Sequence, residues 1–110
     1  AVRIVDGPTG AELEVFWTRV GHAPERILRT RVSIDGDWMG WHELDDPVEV
    51  LRPERAYEGA DEPCVPSRRG AVNHPVNELR DPCLFEDTET GEWWLFYAVA
   101  GESGIAAARL

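Results

Sequence analysis

The 110-residue chain carries 21 acidic and 11 basic residues, which gives a formal net charge of -10. This charge excludes nucleic acid and anionic membranes as expected partners, because both bind basic surfaces. A hydrophobic content of 43% without a long apolar run predicts one modest globular core and no membrane-spanning segment. The sequence from Ala1 lacks the basic and apolar regions of a signal peptide, so we expect a cytoplasmic protein whose leader is absent or removed.

Residues 1–52 are predicted to form one four-stranded antiparallel unit. It begins with the short apolar run Ile4–Asp6 and continues through Gly10–Trp17, Leu28–Ile34 and Val48–Leu51. The third run alternates apolar or small residues with polar ones, which is typical of a strand with one buried face. Gly and Pro clusters between these runs indicate turns, and no segment predicts a long helix.

Residues 53–78 lack sustained periodicity and are predicted to form a long functional loop. The segment from Arg52 to Glu78 contains four of the eight prolines. Loops of this length in compact domains are usually functional or disordered, and we expect an ordered loop anchored by Tyr57, Val65 and Val72. Such a loop could fold back over the last strands and bring Glu58 towards Asp81, since the connecting chain is much longer than that distance requires.

Residues 79–110 are predicted to form a three-stranded unit. The sequence Glu78-Leu79-Arg80-Asp81-Pro82 opens its first strand. A residue before proline favours extended backbone, which would fix the direction of the Asp81 carboxylate. Arg80 could orient that carboxylate or bind substrate hydroxyls. Alternatively, the two residues could form an ion pair that only ties down the start of the strand.

The two units repeat one another at a spacing of about eighty residues. Gly10–Trp17 corresponds to Thr90–Tyr97, and Ile27–Val32 corresponds to Ile105–Leu110. Repeated units of short antiparallel strands indicate a radial β architecture, and four strands are the content of one β-propeller blade. We therefore predict an all-β fold containing about two propeller-type antiparallel blades, the last of them open. Two blades cannot close a ring, so missing blades would come from a longer chain or from self-association.

Several motifs of the second unit resemble the closing blade of five-bladed propeller glycosidases. They are Leu79–Asp87, the aromatic run Trp94–Tyr97 and the turn Gly101–Gly104. This group includes arabinanases, levansucrases and invertases, in glycoside hydrolase families 43 and 32. The segments Leu51–Pro53, Tyr57–Asp61 and Pro66–Ser67 are similar to a subgroup of that superfamily. The resemblance covers the whole chain and implies a carbohydrate ligand and glycosidase-like chemistry.

The resemblance also implies roles for individual carboxylates. Asp81 matches the Asp of an Arg-Asp-Pro motif that binds sugar hydroxyls and stabilises the transition state. Glu58, followed by Gly59, is similar to the general acid of family 43, although that acid follows the Asp-Pro motif in those enzymes and precedes it here. Hydrolysis requires two carboxyl groups across one bond, and the third carboxylate of the family has no candidate in the chain.

Other residues are weaker candidates for the same site. Substrate-binding roles are predicted for Arg80, Asp61, His74 and Glu102, which lie in or beside the long loop and the last turn. Cys64 and Cys83 are interpreted as two free thiols, with a disulfide as the alternative. No metal site or cofactor is predicted. Besides the glycosidase hypothesis, the chain could be a non-catalytic sugar-binding module or a self-assembling structural unit.

Overall fold

The computed structural model describes residues 1–110 and contains eight β-strands, two single-turn 3-10 segments and no α-helix. The prediction of an all-β fold is confirmed. The 3-10 turns span Trp38–Gly40 and Ala56–Glu58. The strands are β1 (Val2–Gly7), β2 (Gly10–Trp17), β3 (Ile27–Ser33), β4 (His42–Glu43), β5 (Val48–Leu51), β6 (Arg80–Asp87), β7 (Glu92–Val99) and β8 (Gly104–Arg109).

The strands form two antiparallel sheets. The first sheet has the order β1-β2-β3-β4, and β5 also pairs with β3, whereas the second sheet has the order β6-β7-β8. The first four predicted strand regions are all present, and the two-residue β4 is an addition that the sequence pattern did not predict. Residues 52–79 connect the two sheets without a strand of their own, a range that includes the segment 53–78.

The hydrophobic core lies between the two sheets. Its buried members come from β2, β3, β7 and the residue before β6: Phe16, Ile27, Leu79, Leu95, Tyr97 and Val99. Full burial of one such side chain stabilises the fold by roughly 1.5–3 kcal/mol. Along β2 the same face becomes ionic further from the core, where Glu14 pairs with Arg3 and Arg29. The two sheets are thus joined by an apolar centre, and the ion pairs of Glu14 lie within the first sheet.

The two sheets pack through opposite faces of the sequence repeat. Phe16 and Phe96 are equivalent in the sequence repeat, yet Phe16 faces the second sheet and is 2% exposed, while Phe96 faces away and is 38% exposed. In contrast, Leu95 and Tyr97 face the first sheet, whereas their equivalents Val15 and Trp17 lie on its outer face. One face of each repeat therefore packs against the opposite face of the other.

This stacking leaves an apolar surface at each end of the pair. On the outer face of the first sheet, Val2 and Ile4 are exposed. On the outer face of the second sheet, Phe85 and Phe96 contact each other edge to face beside the exposed Ile105. By the sequence repeat, the outer face of each sheet is equivalent to the inner face of the other. Each outer face could therefore pack against a further sheet of the same kind.

Candidate functional site

The connecting segment, residues 52–79, is ordered by hydrogen bonds to both sheets. The Ser67 amide donates to the carbonyl oxygen of His22 at 3.0 Å, and the Ser67 hydroxyl accepts from the Gly21 amide at 2.9 Å. The prediction that Tyr57 and Val65 anchor this segment is wrong, since both side chains are exposed. Polar groups hold this segment instead, because the prolines and the absence of a strand leave many backbone groups without ladder partners.

Glu58 is the main polar anchor of the connecting segment. It is 6% exposed, and its Oε1 accepts a hydrogen bond from the Tyr97 hydroxyl at 3.0 Å. Its Oε2 accepts from the backbone amides of Glu54 at 2.8 Å and Arg55 at 3.0 Å. A glutamate at the third position of a turn that reaches back to the preceding amides is a typical N-terminal cap. Both carboxylate oxygens are therefore engaged in holding the fold.

The neighbourhood of Glu58 affects Tyr97 as well. Burial, and secondly the hydrogen bond to Glu58, raise the pKa of Tyr97 to about 12. The Ala100 amide donates to the carbonyl oxygen of Glu58 at 3.1 Å, so the backbone also crosses between the segment and the end of β7. Gly59 has a φ of 90°, and a Cβ at this position would collide with the carbonyl oxygen of Val76. The local fold therefore explains both residues, because Glu58 caps the turn and Gly59 occupies a position without room for a side chain.

Arg80 is the second polar anchor and lies at the start of β6. It is 8% exposed, and its guanidinium contacts the Glu78 carboxylate at 2.6 and 2.8 Å. It also donates to the carbonyl oxygens of Gly70 at 2.8 Å and Arg68 at 3.1 Å, and to Glu102 at 3.4 Å. A buried guanidinium with several acceptors fixes the geometry around it. No ion pair joins Arg80 to Asp81, so the alternative of an Arg-Asp strand tie is wrong.

Asp81 differs from these anchors because it is exposed and has no side-chain partner. The pairing of β6 with β7 passes from Arg80–Ala98 to Cys83–Phe96, so Asp81 and Pro82 together oppose Tyr97 in a β-bulge. Asp81 has a φ of 50°, which corrects the expectation of an extended residue before proline. Bulges change the direction of a side chain, and a non-glycine residue at positive φ is uncommon. The backbone therefore presents this carboxylate to solvent at the mouth of a cleft.

We call this the Arg80 cleft, a polar depression of about 310 Å³ between the two sheets. It is lined by Thr18, Val20, Glu25, Arg68, Arg69, Gly70, Arg80, Asp81 and Glu102. Three of the predicted site residues, Arg80, Asp81 and Glu102, therefore come together. The cleft combines carboxylate acceptors with guanidinium donors, which is a suitable lining for a ligand rich in hydroxyl groups.

The other predicted site residues lie elsewhere. Glu58 lines no cleft, so the connecting segment does not bring it to a cleft shared with Asp81. Asp61 is exposed and also lines none. His74 is exposed beside two neighbouring depressions, and one of these is also lined by Arg80. The catalytic role of Glu58 and the binding roles of Asp61 and His74 remain predictions.

Glu25 is a cleft residue that sequence reasoning missed. It precedes β3, is 3% exposed, and accepts a hydrogen bond on Oε1 from the Thr18 hydroxyl at 2.7 Å. Its backbone carbonyl accepts from the Leu79 amide at 2.9 Å, which joins the two sheets next to the cleft. The only sequence signal for this position was an acidic residue two positions before a predicted strand, in a turn marked by Pro24.

Cys64 and Cys83 are both free and exposed, so the disulfide alternative is wrong. No cluster of three or more His, Cys, Asp or Glu side chains has an arrangement suited to a metal ion. No helix in the chain has the length and apolar character needed to cross a bilayer.

The chain is similar to one curated protein, the uncharacterized protein R118 of Acanthamoeba polyphaga mimivirus. The two sequences are 50% identical over 102 residues, which is 93% of this chain. The chain spans only 28% of the length of that relative. No family model and no solved structure matches the chain. The name of this relative gives no activity.

Proposed function

We propose that the chain contributes the carbohydrate-binding cleft of a glycosidase-like β-propeller. The observation that supports this most directly is the position of Asp81. Its carboxylate is exposed and unpartnered on a bulge, beside a buried Arg80 that holds Glu102 at the same cleft. A preformed polar cleft with free acceptors is the arrangement expected of a binding site.

Carbohydrate fits the chemistry of this cleft better than an anionic ligand does. Glu25, Asp81 and Glu102 supply carboxylate oxygens that accept hydrogen bonds from hydroxyl groups. The guanidinium of Arg80 is already surrounded by acceptors from Glu78, Gly70 and Arg68, which leaves it little capacity for a phosphate or carboxylate ligand. The net charge of -10 also disfavours anions.

The propeller part of the proposal is supported by the stacking of the two sheets. The two sheets pack through opposite faces of the sequence repeat, and both outer faces carry exposed apolar side chains. Further sheets of the same kind would cover Val2 and Ile4 at one end and Phe85 and Phe96 at the other. In this proposal those blades come from a longer chain or from other copies of this one.

A non-catalytic sugar-binding module is the second candidate function. It is favoured by the contacts of Glu58, whose two oxygens accept three hydrogen bonds within the fold. A general acid must be able to give a proton to the leaving group, which requires access to the substrate. In this alternative Asp81 binds sugar hydroxyls without a catalytic partner from residues 1–110.

The test is a titration of the isotope-labelled full chain with arabino-, fructo- and xylo-oligosaccharides, followed by NMR and by an assay for released reducing ends. We expect saturable shift changes at Asp81, Glu102 and their neighbours with at least one of these sugars. Release of reducing ends favours the glycosidase, and binding without release favours the module. Shift changes absent from the Arg80 cleft with every sugar would contradict both candidates.

A further inference from the structure

Glu25 has an unsatisfied carboxylate oxygen inside the Arg80 cleft. The side chain is 3% exposed, and while Oε1 accepts from Thr18, Oε2 has no hydrogen-bond partner. The nearest cation is Arg80, whose Nε lies 3.9 Å from Oε2. That distance permits electrostatic attraction but exceeds the range of a hydrogen bond. The charge of Glu25 is therefore partly compensated, whereas its acceptor capacity at Oε2 is free.

Buried polar atoms are nearly always hydrogen-bonded, and a buried acceptor without a donor costs about 1–3 kcal/mol. The arrangement around Arg80 does not relieve this cost, because Nε and the terminal nitrogens already donate to Glu78, Gly70, Arg68 and Glu102. A partner for Glu25 Oε2 must therefore enter from the cleft that this residue lines. It must be a hydrogen-bond donor, since a carboxylate oxygen accepts.

We propose that Glu25 is a substrate-binding residue whose Oε2 accepts a hydrogen bond from a hydroxyl group of the carbohydrate in the Arg80 cleft. This inference deepens the proposed function and depends on it. Glu25 lies just before β3 of the first sheet and Asp81 lies in β6 of the second, so one sugar would bridge the two halves of the chain. Thr18 fixes the direction of the carboxylate by its bond to Oε1. The buried position makes the contact selective, because a sugar without a hydroxyl there leaves the oxygen unpaired.

Glu25→Gln tests this role with little change in shape. The amide oxygen retains the bond from Thr18, but the NH₂ group at the former Oε2 position cannot accept from a sugar hydroxyl. We expect the dissociation constant of the oligosaccharide bound by the parent to rise about tenfold or more, as for the loss of a hydrogen bond to a charged group. The measurement is calorimetric titration of the full chain with that sugar, with thermal unfolding monitored alongside.

Two matched variants separate binding from general effects of charge. Glu12→Gln removes a carboxylate of similar burial on β2, which pairs with Arg31 and lines no cleft. Glu78→Gln removes a carboxylate that contacts Arg80 directly but does not line the Arg80 cleft. We expect both to reduce stability, and Glu12→Gln to leave the dissociation constant unchanged.

The possible results distinguish this inference from the proposed function. A tenfold rise in the Glu25→Gln dissociation constant, with a thermal midpoint no lower than that of Glu12→Gln, supports the role. Unchanged affinity in Glu25→Gln while the parent binds sugar overturns this inference alone. An equal loss of affinity in Glu12→Gln also overturns it, since the effect would then be one of stability. Absence of sugar binding by the parent overturns the proposed function and this inference together.

Discussion

Glu58 and Asp81 are two carboxylates that the sequence placed in one site, and the structure gives them opposite surroundings. Glu58 is buried, and three donors from the chain occupy its two oxygens. Asp81 is exposed, has no side-chain partner, and lies on a bulge at a positive φ of 50°. The first arrangement stabilises the fold, whereas the second stores local strain and leaves an acceptor free for a ligand.

This difference predicts a structural role for Glu58 and a ligand-binding role for Asp81. Replacing a carboxylate of the first kind should reduce stability, because its donors lose their acceptor inside the protein. Replacing one of the second kind should change ligand binding and have little effect on stability. Stability and affinity measured on the same variants therefore separate the two roles.

The largest effect is expected at Arg80, which joins the two regions because it holds the connecting segment and lines the cleft. Arg80→Met removes the cation that faces Glu78, Glu25 and Glu102. Loss of one partner from a buried charged group costs about 3–5 kcal/mol, so we expect a loss of that size in the free energy of unfolding. Urea denaturation measures it.

Arg109→Met is the matched control, because Arg109 is exposed and pairs with Glu92 at the surface. We expect a change below about 1 kcal/mol for this variant. Equal effects of the two substitutions would show that Arg80 is not a structural anchor. They would also contradict the claim that the contacts of Arg80 fix the shape of the cleft.

Glu58→Gln is expected to have the next largest effect. The amide preserves shape but weakens the charge-assisted bonds from Tyr97, Glu54 and Arg55, so we expect a loss of about 2–3 kcal/mol in the free energy of unfolding. Sugar affinity should stay within about twofold, since Glu58 lines no cleft. Glu92→Gln serves as the surface control. Unchanged stability with abolished turnover would instead support the general-acid hypothesis.

Tyr97→Phe is expected to reduce stability by less than Glu58→Gln does. It deprives Glu58 Oε1 of its donor, and we expect a loss of about 1–2 kcal/mol at neutral pH. Tyr57→Phe is the control, because Tyr57 is exposed and its hydroxyl has no partner.

The pH dependence of the parent provides an independent check on Tyr97. The folded protein keeps Tyr97 protonated to a pKa of about 12, above the ordinary value of 10.0. The unfolded state therefore releases the proton first as the pH rises, and this contribution to stability is lost between about pH 10 and 12. Denaturation midpoints should fall more steeply in that range for the parent than for Tyr97→Phe. Equal slopes would contradict the buried Tyr97–Glu58 bond.

The sequence predicted the strands well because their pattern is local. The alternating run Leu28–Ile34 lies largely within β3, and the aromatic run Trp94–Tyr97 lies within β7. The two-residue β4 lacked a signal, since so short a strand depends on β3 as its partner.

The site was predicted only in part because its geometry depends on contacts distant in sequence. Arg80, Asp81 and Glu102 line one cleft, whereas Glu58, Asp61 and His74, predicted for the same site, do not line it. The bulge at Asp81 depends on its pairing with β7, and Glu25 reaches the cleft because the residues before β3 pair with those before β6. Residue type alone could not separate Glu58, which bonds within the fold, from a carboxylate that faces solvent.

The dissociation constant of Asp81→Asn for the oligosaccharide bound by the parent tests the central claim most directly. Asn also tolerates positive φ, so we expect stability to change by less than about 1 kcal/mol. We expect Asp81→Asn to bind the oligosaccharide at least about tenfold more weakly than the parent does. The exposed control Asp46→Asn should bind with the affinity of the parent. Parent-like affinity in Asp81→Asn, with the fold intact, would contradict the assignment of Asp81 to the binding cleft.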